Sequence, residues 1–106
     1  MIKDIKWSKQ AEEAYGKIID YVEDEFGSSR ARKYISEVAE EVNNLKTNPK
    51  LGQEEPWLVG SRYEFRYLVI GKWTKVIYRI SGESIEIADV WDVRQNPETL
   101  AHRFEH

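Results

Sequence analysis

RYEFRYLVIGKWTKVIYRISGESIEIADVWDVRQNP, residues 62–97, is the stretch whose reading decides the fold. Tyr63, Phe65, Tyr67 and Val69 alternate with Arg62, Glu64, Arg66, Leu68 and Ile70, the period-two signature of a half-buried strand. Gly71-Lys72 interrupts the pattern as a tight turn, and residues 73–80 resume it with the β-branched and aromatic side chains that suit a pleated surface. Ser81-Gly82-Glu83-Ser84 forms a second break, and residues 85–93 supply a third strand rich in Ile, Val and Trp. Short loops between strands predict antiparallel neighbours, hence a meander.

Upstream, Ile2-Lys3-Asp4-Ile5-Lys6-Trp7 alternates apolar with charged and is expected to add a first strand at the sheet edge. Ser8 stands as an N-cap before Ala11, Ala14, Tyr15, Ile18, Ile19, Val22 and Phe26, one apolar stripe of a helix ended by Gly27. Ser28-Ser29 is read as the cap of a second helix with the stripe Ala31, Tyr34, Ile35, Val38, Val42 and Leu45. With so short a link, the helices must fold back as an antiparallel hairpin. Thr47-Asn48-Pro49-Lys50-Leu51-Gly52 turns the chain toward the sheet, and residues 53–60, containing Pro56, read as the one substantial loop. Asn96-Pro97-Glu98 signals a short last helix, with Leu100 and Phe104 spaced to touch the body. The expectation is one α+β domain over residues 1–106: an N-terminal strand, a helical hairpin packed on an antiparallel sheet, and a C-terminal helix (β-α-α-β-β-β-α). The second sheet face is expected to be open or half open, with Trp73 and Trp91 on it.

Composition narrows the function classes. Cysteine is absent, so disulfides and thiolate metal sites are excluded. No run approaches the roughly 20 apolar residues of a membrane span, and the first residues lack the apolar core of a secretory signal, so a cytoplasmic protein is expected. The net charge of −3 resides in the first half, where residues 1–55 hold nine Lys+Arg against twelve Asp+Glu; residues 56–106 hold seven of each. A nucleic-acid grip usually needs a basic surplus, and only a local patch from Arg62, Arg66, Lys72, Lys75, Arg79 and Arg94 is available. His102 and His106 lie at the terminus without a third ligand, and the six glycines are scattered, so no metal and no phosphate-cradling cofactor site is expected.

Five strand residues remain as candidates for chemistry: Arg66, Lys75, Tyr78, Asp92 and Arg94. A metal-independent ribonuclease would use cations to stabilise a developing phosphorane and Tyr or Asp to move protons. The competing reading pairs these charges across the sheet and places Tyr78 in the core. Trp7, Trp57, Trp73 and Trp91 exceed what a small core readily hides, which points to a protein partner, with Trp73, Trp91 and Arg94 as candidate contacts.

The order of elements, the runs FRYLVIGKWTKVIYRI and IEIADVWDVRQNP, the opening IKWSKQAEEAYGKIIDYVEDEFG and the NPKLG turn resemble the RelE/ParE superfamily of small bacterial toxins, close to the plasmid-stabilisation members. The resemblance covers essentially the whole chain. It implies a helical hairpin against an antiparallel sheet, and a cognate antitoxin wrapped around the toxin. RelE-like members cleave messenger RNA on the ribosome with basic sheet residues and, in many, a His or Tyr near the end of the last strand; ParE-like members inhibit DNA gyrase and lack that set. By position, Arg66 resembles the basic residue of the first hairpin strand and Arg94 the one near the end of the last. Trp91-Asp92-Val93 stands where a nuclease often has His or Tyr, a departure that leans toward gyrase inhibition. The alternatives are ribosome-dependent cleavage, which would make the protein an enzyme, and a degenerate member that binds only its antitoxin.

Overall fold

Residues 2–92 are described by the structure, a computed structural model. Strand β1 (Asp4–Trp7) leads into helix α1 (Lys9–Phe26) and helix α2 (Ser28–Asn43), then a 3-10 turn at Asn44–Lys46. A two-residue strand β2 (Gln53–Glu54) and a second 3-10 turn at Pro56–Leu58 precede β3 (Arg66–Ile70), β4 (Thr74–Ser81) and β5 (Ser84–Asp92). The sheet runs β1-β5-β4-β3-β2. It is an α+β fold, as expected, but the sheet is mixed: β1 lies parallel to β5, with Ile5 opposite Ile85 and Trp7 opposite Ile87. A parallel neighbour requires a long crossover, here the whole chain between β1 and β5.

Ser8 joins sheet and helix. Its hydroxyl accepts from the Ala11 amide at 3.0 Å, the expected cap, and donates to the Ala88 carbonyl at 2.9 Å. The Ser8 amide donates to the Ile87 carbonyl at 2.9 Å. The Ile87 bond continues the parallel β1–β5 ladder, whereas Ala88 is the residue that the β4–β5 register skips, so the capping serine's hydroxyl satisfies a carbonyl at the bulge. The second cap differs from the expectation. Gly27, at φ 91°, is the N-cap of α2, and Ser28 and Ser29 are already helical and make no capping bond. Only glycine takes that backbone angle without strain, which lets 18- and 16-residue helices reverse with one residue between them.

The main core lies between the hairpin and one sheet face, where Val38, Val42 and Leu45 meet Ile70, Val76, Tyr78, Ile85, Ile87 and Val90. A ladder of rings crosses it: Trp7 stacks on Tyr15 at 5.2 Å, Tyr15 meets Tyr34 at 5.9 Å, and the Tyr34 hydroxyl shares a 2.8 Å hydrogen bond with Thr74. Burial, reinforced by Tyr34, pushes the Tyr15 pKa up to about 12; burial also raises Tyr34, partly offset by the Thr74 bond.

The opposite face is not open. The strand expected from residue 62 begins at Arg66, and residues 55–65 form a strap over that face, closed at its base by the Glu55 amide donating to the Phe65 carbonyl at 2.9 Å. Leu58 and Phe65 lie on Ile77 and Trp91 and form a second apolar cluster. Residues 93–106, including the expected C-terminal helix, lie outside the described residues.

Candidate functional site

The register sets Arg66 opposite Tyr78. Tyr78 is fully buried; its hydroxyl donates to the Pro49 carbonyl at 2.8 Å and accepts from the Gly52 amide at 2.9 Å. Arg66 donates to the Gly52 carbonyl at 2.9 Å and pairs with Glu64 at 3.2 Å. Both side chains therefore hold the turn that brings α2 back to the sheet. Burial raises the Tyr78 pKa, with the Gly52 bond and Arg66 pulling it partly back, so the phenol stays neutral at physiological pH.

Lys75 faces the strap. Its ammonium stands 2.5 Å from Glu55 Oε2 and 4.4 Å from the centre of the Tyr67 ring. Glu55 is buried and its other oxygen accepts from the Trp57 amide at 3.1 Å; Oε2 has the ionic contact but no directional hydrogen bond. Asp92 closes the described part of β5 opposite Thr74, beside Tyr34, whose pKa it helps to raise. Arg94 lies outside the described residues. Four candidates thus fall at three places: Arg66 with Tyr78 under the 49–52 turn, Lys75 on the opposite face, and Asp92 at the far end of β5. Among the described residues no group of His, Cys, Asp or Glu could hold a metal ion, and no helix is long and apolar enough to cross a membrane.

The two tryptophans separate as well. Trp91 is 3% exposed, because Leu58 and Phe65 cover it, and it presents no surface to a partner. Trp73, in the β3–β4 connection, is 51% exposed and lines a groove of about 900 Å³ between the helical hairpin and the sheet end. Of the α1 stripe only Ala11 is fully buried, while Tyr21 and Phe26 toward the helix's C-terminal end stay exposed. Ala14, Ile18, Val22, Ile70 and Val90 make an apolar lining, and Tyr21, Phe26 and Trp73 add exposed rings. Lys17, Arg30, Lys33 and Lys72 stand on the same lining, none in an ion pair among the described residues, against Glu13, Glu37 and Asp92. Sequence reading missed this groove, because the α1 stripe marks a buried face without marking which end of it the sheet leaves uncovered.

The chain matches the family model for the ParE toxin of the type II toxin-antitoxin system parDE over residues 5–97. Among solved structures it is similar to a chromosomal ParDE toxin-antitoxin system from P. aeruginosa, with a TM-score of 0.70, 23% identity, and coverage of 86% of this chain and 96% of that one. It is also similar to a YoeB/ParE toxin from Agrobacterium tumefaciens, with a TM-score of 0.59, 17% identity, and coverage of 85% and 98%. A YoeB-YefM complex from Staphylococcus aureus matches with a TM-score of 0.54, 21% identity, and coverage of 86% and 95%. Among curated proteins none matches the sequence.

Proposed function

The chain belongs to the ParE toxin family of type II toxin-antitoxin systems, and from that premise we propose that it arrests growth in the cytoplasm by binding DNA gyrase. Its partner is an antitoxin, in keeping with the toxin-antitoxin complexes among its structural neighbours. We assign that antitoxin to the groove beside Trp73, which offers an apolar floor and four cations without an ion pair among the described residues to an amphipathic segment with acidic edges.

One observation carries gyrase binding ahead of ribosome-dependent cleavage. Three of the five groups a nuclease would draw on are spent on architecture: Arg66 and Tyr78 grip Gly52, and Lys75 is held by Glu55. A neutral, buried phenol bonded to two backbone groups is badly placed to take a proton from a ribose hydroxyl.

The test adds purified protein to a translating extract with a defined message and, separately, to a gyrase supercoiling reaction. Intact message with impaired supercoiling is the expected outcome. Site-specific cuts that vanish in Arg66→Ala would overturn it in favour of the nuclease, and inactivity in both reactions would assign the chain to antitoxin binding alone.

A further inference from the structure

Residues 55–65 spend eleven positions to cover Ile77 and Trp91 with two side chains, Leu58 and Phe65. The strap's other large apolar groups point outward: Trp57 is 46% exposed and Val59 66%, with Tyr63 beside them. Tyr63 packs edge-on against Phe65 at 6.3 Å, but burial in the free protein leaves the exposed parts of Trp57 and Val59 unexplained, since an exposed apolar surface gains little from the hydrophobic effect. Yet the strap is well ordered by its contacts. Glu55 and Phe65 close its base, the Leu58 amide donates to the Glu55 carbonyl at 3.2 Å, and the Ser61 amide and hydroxyl donate to the Leu58 and Tyr63 carbonyls at 3.1 and 2.8 Å. Beneath it lies the Glu55–Lys75 ion pair, a contact that is weak evidence for stability and better understood as holding one conformation.

Two guanidiniums converge on the Tyr63 ring, Arg79 at 4.0 Å and Arg62 at 5.5 Å from its centre. Arg79 is shared with Glu86, whereas Arg62 has no ion-pair partner among the described residues. Trp, Tyr and Arg are the residue types that dominate binding hot spots, and a preformed loop loses little entropy on docking. The groove and the strap share no lining residue and belong to opposite faces of the sheet.

We propose that the strap is the surface by which this toxin engages its target: Trp57 and Val59 enter an apolar pocket on a protein, and Arg62 meets a carboxylate at the pocket's edge. A protein pocket fits better than a nucleic-acid backbone, because Val59 offers nothing to a phosphate, Arg62 is the single cation of residues 55–65, and the exposed Glu54 lies at the strap's edge. The inference rests on the toxin reading. It also requires that a neutralising antitoxin reach past the groove, since filling the groove alone leaves the strap free.

The experiment induces wild type, Trp57→Ser/Val59→Ser, Arg62→Glu and Ile35→Ser in cells without antitoxin and counts survivors. Ile35 is an exposed apolar residue of α2 that lines neither surface and serves as the control. Circular dichroism and thermal melting of each purified variant report folding. The expected result is toxicity reduced by on the order of tenfold or more in the strap variants, unchanged in Ile35→Ser, with a wild-type fold throughout. Equal toxicity of wild type and the double strap variant overturns the inference and leaves the toxin reading intact; an inert wild type overturns both. RNA that copurifies with wild type but not with the strap variants would replace the protein pocket by a nucleic acid and overturn the proposal.

Discussion

The Gly52 amide donates to the Tyr78 hydroxyl at 2.9 Å, and a Cβ at position 52 would stand 2.7 Å from that same oxygen and 2.6 Å from the Tyr67 carbonyl. The turn between α2 and the sheet therefore closes only around a residue without a side chain. Gly52→Ala should destabilise by about 1–3 kcal/mol through overpacking. Tyr78→Phe should cost about 1–3 kcal/mol by leaving the Gly52 amide buried and unpaired. Urea denaturation of the two variants checks both figures; wild-type midpoints would mean that the turn relaxes freely.

The Glu55–Lys75 pair makes an asymmetric prediction. Lys75→Met leaves a buried carboxylate without its counter-charge and should destabilise by about 3–5 kcal/mol, whereas Glu55→Met/Lys75→Met should recover most of the loss. The recovery is incomplete because the Trp57 amide also loses its acceptor. Thermal melts of the single and double variants measure the difference.

Val38 is 1% exposed and Ile18 only half-buried, so Val38→Ala should cost about 2 kcal/mol and Ile18→Ala less than its larger side chain suggests. Glu41→Ala, on the solvent face, should stay within about 0.5 kcal/mol of wild type. Chemical denaturation that ranks Ile18 above Val38 would mean that α1 packs more tightly along its length than the sheet end allows.

Antitoxin association should depend on salt. Lys17→Glu/Lys33→Glu should slow association by on the order of tenfold at low ionic strength, with the gap closing toward 0.5 M salt at about one Debye length of a few Å. Stopped-flow mixing across a salt series measures it, and an unchanged rate would remove the antitoxin from the groove.

The tyrosine ladder predicts alkaline behaviour. Tyr15, raised to about 12, and Tyr34 and Tyr78, raised by burial, bind their protons more tightly folded than unfolded. Their contribution to stability is fully present below pH 10 and is lost as the pH rises from there toward about 12. The tyrosinate absorbance of these three should rise late and in step with unfolding; their titration near pH 10 would contradict the buried ladder.

The local sequence sets β1, both helices and the three hairpin strands in their order, because each is written in a local period: the Ala11 to Phe26 stripe, the Ser8 cap, the alternation read from residue 62 and found from Arg66 onward, and the turns at Gly71 and Gly82; the two-residue β2 and the 3-10 turns carry no such period. It also determined the family, through the spacing of those elements. Tertiary structure alone decided which residues meet. Arg66 and Tyr78 converge on Gly52, Lys75 turns to the opposite face, and Trp91 is covered, because register, a bulge at Ala88 and the path of a strap without periodicity are set by contacts between residues far apart in the chain. The parallel placement of β1 was equally hidden: alternation marks a strand and its faces, but which neighbour it takes, and in which direction, follows from the packing of everything between.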